Sequence, residues 1–342
     1  MESTDPVRVV AAGDHFVLPS LITAAVRHEM GEHPCEVREL TLAQETGGAE
    51  EQLLKALVDA EVLVTRQGPV TARVLAAAPE LRLVVVCRGG PADVDLEAAQ
   101  AHGVRVCRAP GGGAAATAEF TLGLMLAALR RIPQAHELLA RHGRWQGPAS
   151  TTYEHAGLEL EDLPVGLIGH GAVGSRVARV LCALGARVMV YDPYVRGEVH
   201  GLRIGSLDEL LRRSRVITLH TPLTSGTRGL IGARELALLP RGAVVVNTAG
   251  GALLDEDALC DALESGQLSA AALDTYAHEP LPPDSRLPAL AERLVLTPHL
   301  GGSSRAAAEK AAGTAAEEVG RWVRGEPPLH CLPEPGKREW RS

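Results

Sequence analysis

The feature that most constrains the fold is a short apolar strand that runs directly into a glycine-rich turn and then into a helix. The stretch Val165–Gly174 reads V-G-L-I-G-H-G-A-V-G, which places glycines at positions 169, 171 and 174. These glycines permit a tight turn and a close approach of the backbone to a ligand, and the free N–H groups at the start of the helix can hold a pyrophosphate. The stretch therefore predicts a dinucleotide-binding βαβ unit.

The next predicted strand, Ala186–Tyr191, ends at an acidic residue. Asp192 lies eighteen residues after Gly174, at the position where a carboxylate accepts hydrogen bonds from the adenosine ribose of a dinucleotide. Its negative charge would repel a ribose 2′-phosphate, so the predicted cofactor is NAD rather than NADP. The intervening helix is predicted to bury an apolar face that consists of Val173, Val177, Val180, Leu181 and Leu184.

The length and charge of the chain set further limits. With 342 residues, 46% of them hydrophobic, the chain exceeds the size at which one core stops growing, so two α/β domains are predicted. The formal charge of −8 is spread along the sequence without basic runs, which argues against nucleic acid as a partner. The acidic N-terminus has no apolar core region, and no window supplies about 18 uninterrupted apolar residues for a membrane span. A cytoplasmic protein that does not enter a membrane is therefore expected.

Cysteines and histidines are scattered along the chain. The cysteines form no C-x-x-C pair and most have apolar neighbours in the sequence, so they are predicted to be reduced structural thiols. The thirteen histidines show no metal-ligand spacing, and no metal site is predicted. The six cysteines are Cys35, Cys87, Cys107, Cys182, Cys260 and Cys331.

The first third of the chain alternates short β-rich runs with helical patterns, which is typical of a parallel sheet covered by helices. Ligands bind beyond the carboxyl ends of such strands, so the loops Gly13–Phe16 and Arg88–Pro91 are candidate sites. For His15 a capping or loop role is favoured, whereas for Arg88, Gly89 and Gly90 a structural role and a substrate-binding role are equally supported. The predicted strands are Val7–Ala11, Val62–Thr65, Leu83–Cys87 and Val104–Cys107, and the predicted helices are Leu21–Met30, Glu50–Leu57 and Ala72–Ala77.

A glycine-rich hinge, Ala109–Gly113, separates this region from a second one. An amphipathic helix from about Ala115 to Arg131 is predicted to lead into the second domain, and a helix from Ser304 to about Val323 to return to the first. Between them the alternation of strands and helices predicts a second doubly wound sheet. Its further elements are helices Leu207–Leu211, Ala233–Leu238 and Glu256–Leu263 and strands Val216–His220, Ala243–Asn247, Ala270–Leu273 and Leu294–Leu296.

Several stretches together resemble the D-isomer-specific 2-hydroxyacid dehydrogenases, in the order and spacing of that family. The resemblance implies an α/β fold of two doubly wound parallel-sheet domains, with a Rossmann NAD domain (111–303) inserted in a flavodoxin-like substrate domain (1–110 and 304–342). It also implies an NAD-dependent dehydrogenase acting on CH–OH groups, a cleft between the domains and a homodimer. The matching stretches are Ala118–Thr121, Gly169–Gly174 with Asp192, His220–Thr224, Val246–Ala249, Asp255–Leu259, Ala272–Pro280 and Thr297–Gly302.

The resemblance also implies roles for individual residues. His299 matches the catalytic acid/base and Glu279 the carboxylate that orients it. This assignment makes chemical sense, because oxidising an alcohol releases a proton with the hydride and an imidazole can take it. The positions implied to contact NAD are Gly169, Gly171, Ala172, Val173 and Gly174 at the pyrophosphate, Asp192 at the ribose, Thr221, Pro222, Thr248 and Ala249 beside the nicotinamide, Asp274 at its amide, and Gly250, His299 and Gly301 nearby.

The chain departs from the family at one position of the site. In the stretch Asn247–Gly251, Gly250 stands where the family has the arginine that binds the substrate carboxylate and polarises the reacting carbonyl. Losing such a donor typically costs on the order of 10²–10³ in rate. Arg88, at the position of the first glycine of the family's substrate-binding loop, is a candidate to hold an anionic group by a bidentate pair, or is a plain surface arginine. Arg108 and Arg305 are weaker candidates.

The favoured function is therefore an NAD-dependent oxidoreductase acting on a small anionic hydroxy compound. Since Gly250 removes a charge and opens space, a hydroxyphosphonate or a bulkier acid is expected in preference to lactate or phosphoglycerate. The alternative is an NAD-binding sensor or interaction protein with impaired catalysis. Gly250 supports that alternative, whereas the presence of His299 and Glu279 argues against it. A dimer scaffold without a ligand is disfavoured by the complete set of cofactor positions.

Overall fold

The computed structural model describes residues 5–42, 48–90, 93–143, 145 and 156–332. The chain divides into two compact units. The terminal unit consists of Met1–Gly113 and Ser303–Ser342, and the central unit of Ala114–Gly302. The boundaries expected from the sequence were 110/111 and 303/304.

The first part of the terminal unit forms a five-stranded parallel sheet in the order β2-β1-β3-β4-β5. This is the flavodoxin-like strand order. The strands β3 and β4 are buried along their whole length, as expected for strands covered by helices on both faces. The elements are β1 (Val7–Gly13), α1 (Pro19–Met30), β2 (Cys35–Thr41), α2 (Gly48–Ala56), β3 (Val62–Thr65), α3 (Ala72–Ala76), β4 (Leu83–Val86), α4 (Leu96–Ala101) and β5 (Arg105–Arg108).

Two elements of this unit are absent from the sequence prediction. Strand β2 lies at the edge of the sheet and none of its residues is fully buried, so its sequence, C-E-V-R-E-L-T, lacks a strong apolar pattern. Helix α4 is a short helix that begins after Asp95, whose side chain accepts a hydrogen bond from the Ala98 N–H. Strand β2 is too exposed, and helix α4 too short, for hydrophobic periodicity to identify them.

The central unit forms a seven-stranded parallel sheet in the order β12-β11-β10-β9-β6-β7-β8. The strand order reverses between β6 and β9, which creates the crevice at which Rossmann folds bind a dinucleotide. The predicted Rossmann architecture is confirmed. Its elements are α5 (Ala114–Leu129), α6 (Ile132–His142), β6 (Pro164–Ile168), α7 (Gly174–Ala183), β7 (Arg187–Tyr191), β8 (Leu202–Arg203), α8 (Leu207–Arg213), β9 (Val216–Leu219), α9 (Ala233–Leu238), β10 (Ala243–Asn247), α10 (Glu256–Glu264), β11 (Leu268–Leu273) and β12 (Leu294–Leu296).

The predicted apolar face of α7 is partly wrong. Val177 and Leu181 are fully buried, and Val173 and Val180 are partly buried. Leu184, however, is 46% exposed, because the helix ends at Ala183 and Leu184 is its C-cap. Helix α6 and the two-residue strand β8 were also not predicted.

The last helix, α11 (Arg305–Val323), packs against α1 within the terminal unit. Its N-terminus is capped by Ser304, whose hydroxyl accepts a hydrogen bond from the Ala307 N–H. The buried face is made of small residues, which lets the two helices approach closely. The alanines of this face are Ala308, Ala311, Ala312, Ala315 and Ala316.

Beyond α11 the chain returns to the edge of the five-stranded sheet, and we call residues 329–332 the C-terminal strap. The carboxylate of Glu318, which is 1% exposed, accepts hydrogen bonds from the N–H groups of Leu329 at 3.1 Å and His330 at 2.8 Å. The strap then pairs with β5 through an isolated antiparallel bridge. A buried carboxylate on α11 therefore holds the end of the described chain against the sheet.

The described residues contain no helix long and apolar enough to cross a membrane. Within the same ranges, no group of three or more histidines, cysteines and carboxylates is placed to hold a metal ion. All six cysteines are free thiols, and Cys182 is exposed.

Replacement of Glu318 with alanine should destabilise the terminal unit by about 1–3 kcal/mol, because two N–H groups of the strap lose their acceptor. The matched control is Glu317→Ala, since Glu317 is exposed on the same helix. Urea unfolding followed by circular dichroism would measure both variants. Equal stability of the two variants would show that the Glu318 hydrogen bonds do not hold the strap.

Candidate active site

A cavity of about 340 Å³ lies at the carboxyl ends of the central strands of the seven-stranded sheet. Most of its wall follows the strands, because these are parallel and all end at the same edge, and Thr117 of α5 completes it. This edge brings together most of the residues that the sequence predicts for the nicotinamide side. The lining residues are Thr117, Val173, His220, Thr221, Pro222, Thr248, Ala249, Asp274, His299, Gly301 and Gly302.

The glycine-rich turn between β6 and α7 has the form expected of a pyrophosphate site. A side chain at Gly174 would place its Cβ 2.1 Å from the carbonyl oxygen of Gly169, so only glycine permits this close packing of turn and helix. A Cβ at Gly171, in contrast, would meet no atom within 4 Å. The space beside Gly171, together with the N-terminus of the ten-residue helix α7, fits a bound pyrophosphate. Ala172 lies in the same turn and is exposed.

Asp192 follows the end of β7 and joins the glycine-rich turn to the loop after β7. Its Oδ2 accepts a hydrogen bond of 2.7 Å from the N–H of His170, and its Oδ1 accepts bonds from the N–H groups of Tyr194 and Val195. These bonds fix the carboxylate beside the glycine turn. Each oxygen of a carboxylate can accept about two hydrogen bonds, so Oδ2 retains capacity for a ribose hydroxyl.

The imidazole of His299 is paired with the carboxylate of Glu279. The distance between His299 Nδ1 and Glu279 Oε2 is 2.7 Å. Because Nδ1 is used in this bond, Nε2 is the ring nitrogen that remains to exchange a proton with a ligand in the cavity. His299 has a φ of 54°, in the left-handed region that residues other than glycine seldom adopt.

The loop that carries His299 is held by the buried carboxylate of Asp274. Oδ1 of Asp274 accepts hydrogen bonds from the Thr297 hydroxyl at 2.6 Å and the Leu300 N–H at 2.8 Å. Oδ2 accepts one from the Gly301 N–H at 2.7 Å. Asp274 thus binds the chain on both sides of His299, and Oδ2 keeps one acceptor position for the nicotinamide amide that the sequence assigned to it.

His220 lines the same cavity, although the sequence analysis gave it no role. Its Nε2 lies 2.9 Å from the buried hydroxyl of Thr218. Burial of the imidazole lowers the pKa of His220 to about 3, so this side chain is neutral at physiological pH. Its place in the motif His220–Thr224 was the only sequence signal that could have pointed to it.

Hydrogen bonds fix the loop after β10 that carries Gly250. Asn247 donates through Nδ2 to the carbonyl of Gly250 and accepts through Oδ1 from the Ala249 N–H. The hydroxyls of Thr248 and Thr121 are 2.7 Å apart and both residues are buried, which ties the end of β10 to α5. Thr121, like Thr117 and Gly302, is a further residue of this region that the sequence analysis did not assign.

The predicted substrate residues Arg88, Gly89 and Gly90 belong to the terminal unit, after β4. The Arg88 guanidinium lies 3.6 Å from the carboxylate of Asp93 and is 44% exposed. The carbonyl of Gly89 accepts a hydrogen bond from Arg108 Nη1 at 3.0 Å. Substrate binding by these residues stays a prediction, as does the favoured loop role of His15.

The fold and the site together define a dinucleotide-binding protein with a histidine–carboxylate pair beside the cofactor cavity. Residues 122–301 match the family described as D-isomer specific 2-hydroxyacid dehydrogenase, NAD binding domain. The chain belongs to this family, and its central unit is the NAD-binding domain.

Individual relatives agree with this assignment. The chain is 41% identical over 297 residues to D-3-phosphoglycerate dehydrogenase of Methanocaldococcus jannaschii, a match that covers 85% of this chain and 55% of that protein. It is 37% identical over 288 residues to glyoxylate reductase of Aeropyrum pernix, covering 82% and 85% of the two chains. The chain thus spans about half the length of the phosphoglycerate dehydrogenases it matches.

Solved structures show the same architecture. The TT0316 protein of Thermus thermophilus superposes with a TM-score of 0.82 at 34% identity, covering 95% of this chain and 100% of that one. D-lactate dehydrogenase of Aquifex aeolicus, solved with NAD and lactic acid, superposes with a TM-score of 0.72 at 25% identity, covering 93% and 96%.

His220 should make the stability of the central unit depend on pH. Its folded pKa lies below the unfolded value near 6.5, so its neutral form stabilises the fold above that pH, and this contribution is lost as pH falls from about 6.5 towards 3. Between pH 6.5 and pH 5 the loss should reach about 1–2 kcal/mol. We expect His220→Gln to flatten this dependence in urea unfolding, and the exposed control His28→Gln to leave it unchanged. An unchanged slope in His220→Gln would refute the assignment.

Proposed function

We propose that this protein is an NAD-dependent oxidoreductase that transfers a hydride between the nicotinamide and a small anionic hydroxy compound, with His299 as the acid/base. The observation that carries the proposal is the 2.7 Å hydrogen bond between His299 and Glu279 at a cavity of the NAD-binding domain. A protein that only bound the dinucleotide would have no chemical use for an oriented proton-transfer pair.

NAD, when bound, supplies the site that accepts or donates the hydride. The residues of this chain handle the proton. In oxidation, Nε2 of His299 takes the proton that leaves the substrate hydroxyl, and Glu279 at Nδ1 stabilises the imidazolium that forms. In reduction, the same nitrogen returns the proton to the carbonyl oxygen. Asp274 keeps the imidazole in place by binding Thr297, Leu300 and Gly301 around it.

Gly250 bears on which substrate is used. Its backbone is extended, with φ −163° and ψ 131°, a conformation open to any residue. A Cβ there would lie 3.4 Å from the Cβ of Leu223, an ordinary contact. The neighbouring Gly251 is different, since its Cβ would lie 1.8 Å from the carbonyl carbon of Tyr276. Glycine is therefore required by packing at 251 but not at 250.

The absence of a side chain at Gly250 supports a substrate other than the short 2-hydroxy acids. Without an arginine there, the carboxylate of the substrate must find another cation, for which Arg88 is the candidate, and the freed volume suits a hydroxyphosphonate or a bulkier acid. The same glycine favours one other function, an NAD(H)-binding sensor or interaction protein with impaired catalysis. The two functions differ in whether His299 affects turnover.

Removal of the acid/base should separate chemistry from cofactor binding. We expect His299→Gln to lower kcat by about 10²–10⁴ and to change the Kd for NADH by less than about twofold, since the variant keeps every other predicted cofactor residue. His278→Gln, on a nearby exposed histidine, is the matched control. Kinetics with 2-oxo acids and oxophosphonates and NADH fluorescence titration would measure the two effects. Binding of NADH without turnover of any of these compounds by the wild type would favour the sensor.

Gly250→Arg should change the substrate preference. We expect the variant to gain about 10²–10³ in kcat/KM for glyoxylate, pyruvate or hydroxypyruvate relative to the wild type, because a preorganised cation again faces the carboxylate. Gly250→Met, of similar length without charge, is the control for filled space.

The wild type should prefer a phosphonate or a bulkier acid, and Arg88→Ala should weaken that activity. The proposed substrate class would be wrong if the wild type turned over glyoxylate, pyruvate or hydroxypyruvate fastest and Arg88→Ala left its activity unchanged. Activity confined to Gly250→Arg would indicate that the natural protein binds NAD for another purpose.

A further inference from the structure

Two cysteines face each other where the C-terminal strap meets the sheet edge. Cys107 lies in β5, and Cys331 is its partner in the antiparallel bridge. The backbone hydrogen bonds flank the pair, from the Arg108 N–H to the His330 carbonyl at 3.1 Å and from the Leu332 N–H to the Val106 carbonyl at 2.9 Å. Cys107 and Cys331 therefore form a non-hydrogen-bonded pair, in which the Cα atoms approach to about 4.5 Å and the side chains are closest.

This arrangement suits a covalent bond between the two sulfur atoms. Disulfides require Cα atoms about 4.4–6.8 Å apart, and a non-hydrogen-bonded antiparallel pair lies inside this range. The two sulfur atoms are close enough for each thiol to shift the pKa of the other. No change in strand register is needed to join them.

The two thiols differ in access to solvent and in acidity. Cys107 is 1% exposed, whereas Cys331 is partly exposed. The hydrogen bond from Cys107 lowers the pKa of Cys331 to about 7, while the hydrogen bond with Cys331 and burial raise the pKa of Cys107. The accessible sulfur is thus the better nucleophile, and the buried one stands behind it.

We propose that Cys107 and Cys331 form a reversible intramolecular disulfide that fastens the C-terminal strap to β5. The oxidant is a low-molecular-weight disulfide such as glutathione disulfide. The Cys331 thiolate attacks one sulfur of the oxidant, the S–S bond breaks and one thiol leaves. Cys107 then attacks Cys331 in the mixed disulfide, and the second thiol leaves. The two cysteines lose two electrons and two protons, and the oxidant becomes two thiols.

The position of this bond gives it a structural consequence. The chain between Cys107 and Cys331 includes the whole central unit, so the disulfide joins the two separate segments that make up the terminal unit. A cross-link over so long a loop restricts the unfolded chain strongly. Glu318 already holds the neighbouring Leu329 and His330, and the covalent bond would stop the strap from leaving the sheet edge under oxidising conditions.

The test compares the wild type with Cys331→Ser and with Cys182→Ser, a control at the exposed cysteine of α7. Each full-length protein is equilibrated with excess glutathione disulfide, alkylated and digested for mass spectrometry. We expect the wild type to fall from six free thiols to four and to yield a peptide that links Cys107 to Cys331. Cys182→Ser should yield the same linked peptide, and Cys331→Ser should not. Oxidation should raise the Tm of the wild type and of Cys182→Ser by about 5 °C, but not that of Cys331→Ser.

Three results would overturn the proposal. In the first, Cys331 carries glutathione and no linked peptide forms. In the second, the linked peptide arises only between two chains, seen as a band of doubled mass without reductant. In the third, the intramolecular bond forms but Tm does not rise, which would refute the fastening of the strap. None of these readouts depends on catalysis, so they test this inference separately from the proposed oxidoreductase activity.

Discussion

The geometry of the candidate active site depends on one buried carboxylate. Asp274 follows β11 and accepts three hydrogen bonds from the loop that follows β12. Hydrogen bonds to a charged acceptor are stronger than neutral ones, and this acceptor is 1% exposed. Between the bound positions 297 and 300, His299 adopts a left-handed conformation that a free loop would seldom populate. The sheet therefore orders the loop, and the loop presents the imidazole to Glu279 and to the cavity.

The sequence predicted the bounds of some completely buried strands correctly. Strands β3 and β10, which are buried along their whole length, have the predicted bounds, because continuous apolar runs flanked by turn residues admit few alternatives. The edge strands β2 and β8 were missed, since they alternate or expose their side chains and carry a weak apolar pattern. The sequence analysis predicted no strand in the C-terminal strap. Its pairing with β5 depends on Glu318, whose partners lie eleven and twelve residues later.

Some features of the site could likewise be predicted from the sequence, and others could not. His299 and Glu279 could be assigned from motifs, and the structure places their side chains in contact. The loop-holding bonds of Asp274, the neutral state of His220 and the link between Thr121 and Thr248 could not, because each depends on groups brought together only by folding. Gly250 and Gly251 show what the sequence alone does not predict. The two letters are identical in the sequence, but a Cβ at Gly251 would overlap the backbone of Tyr276, whereas a Cβ at Gly250 makes only ordinary contacts.

The terminal unit has to be completed by the last part of the chain. Its helix α11 packs on α1, and the pair between Arg324 and Glu29 joins residues 295 positions apart. The entropy of closing a loop grows only with the logarithm of its length, about 0.6 kcal/mol for each doubling, so inserting the whole central unit adds little to this cost. The larger problem is that α11 and the strap meet their partners only after the central unit has been made. A unit assembled this way needs strong contacts between its last segment, α11 and the strap, and its first part. The alanine face of α11, the Glu318 hydrogen bonds to the strap and Cys331, which faces Cys107 of β5, all belong to this late segment of the chain.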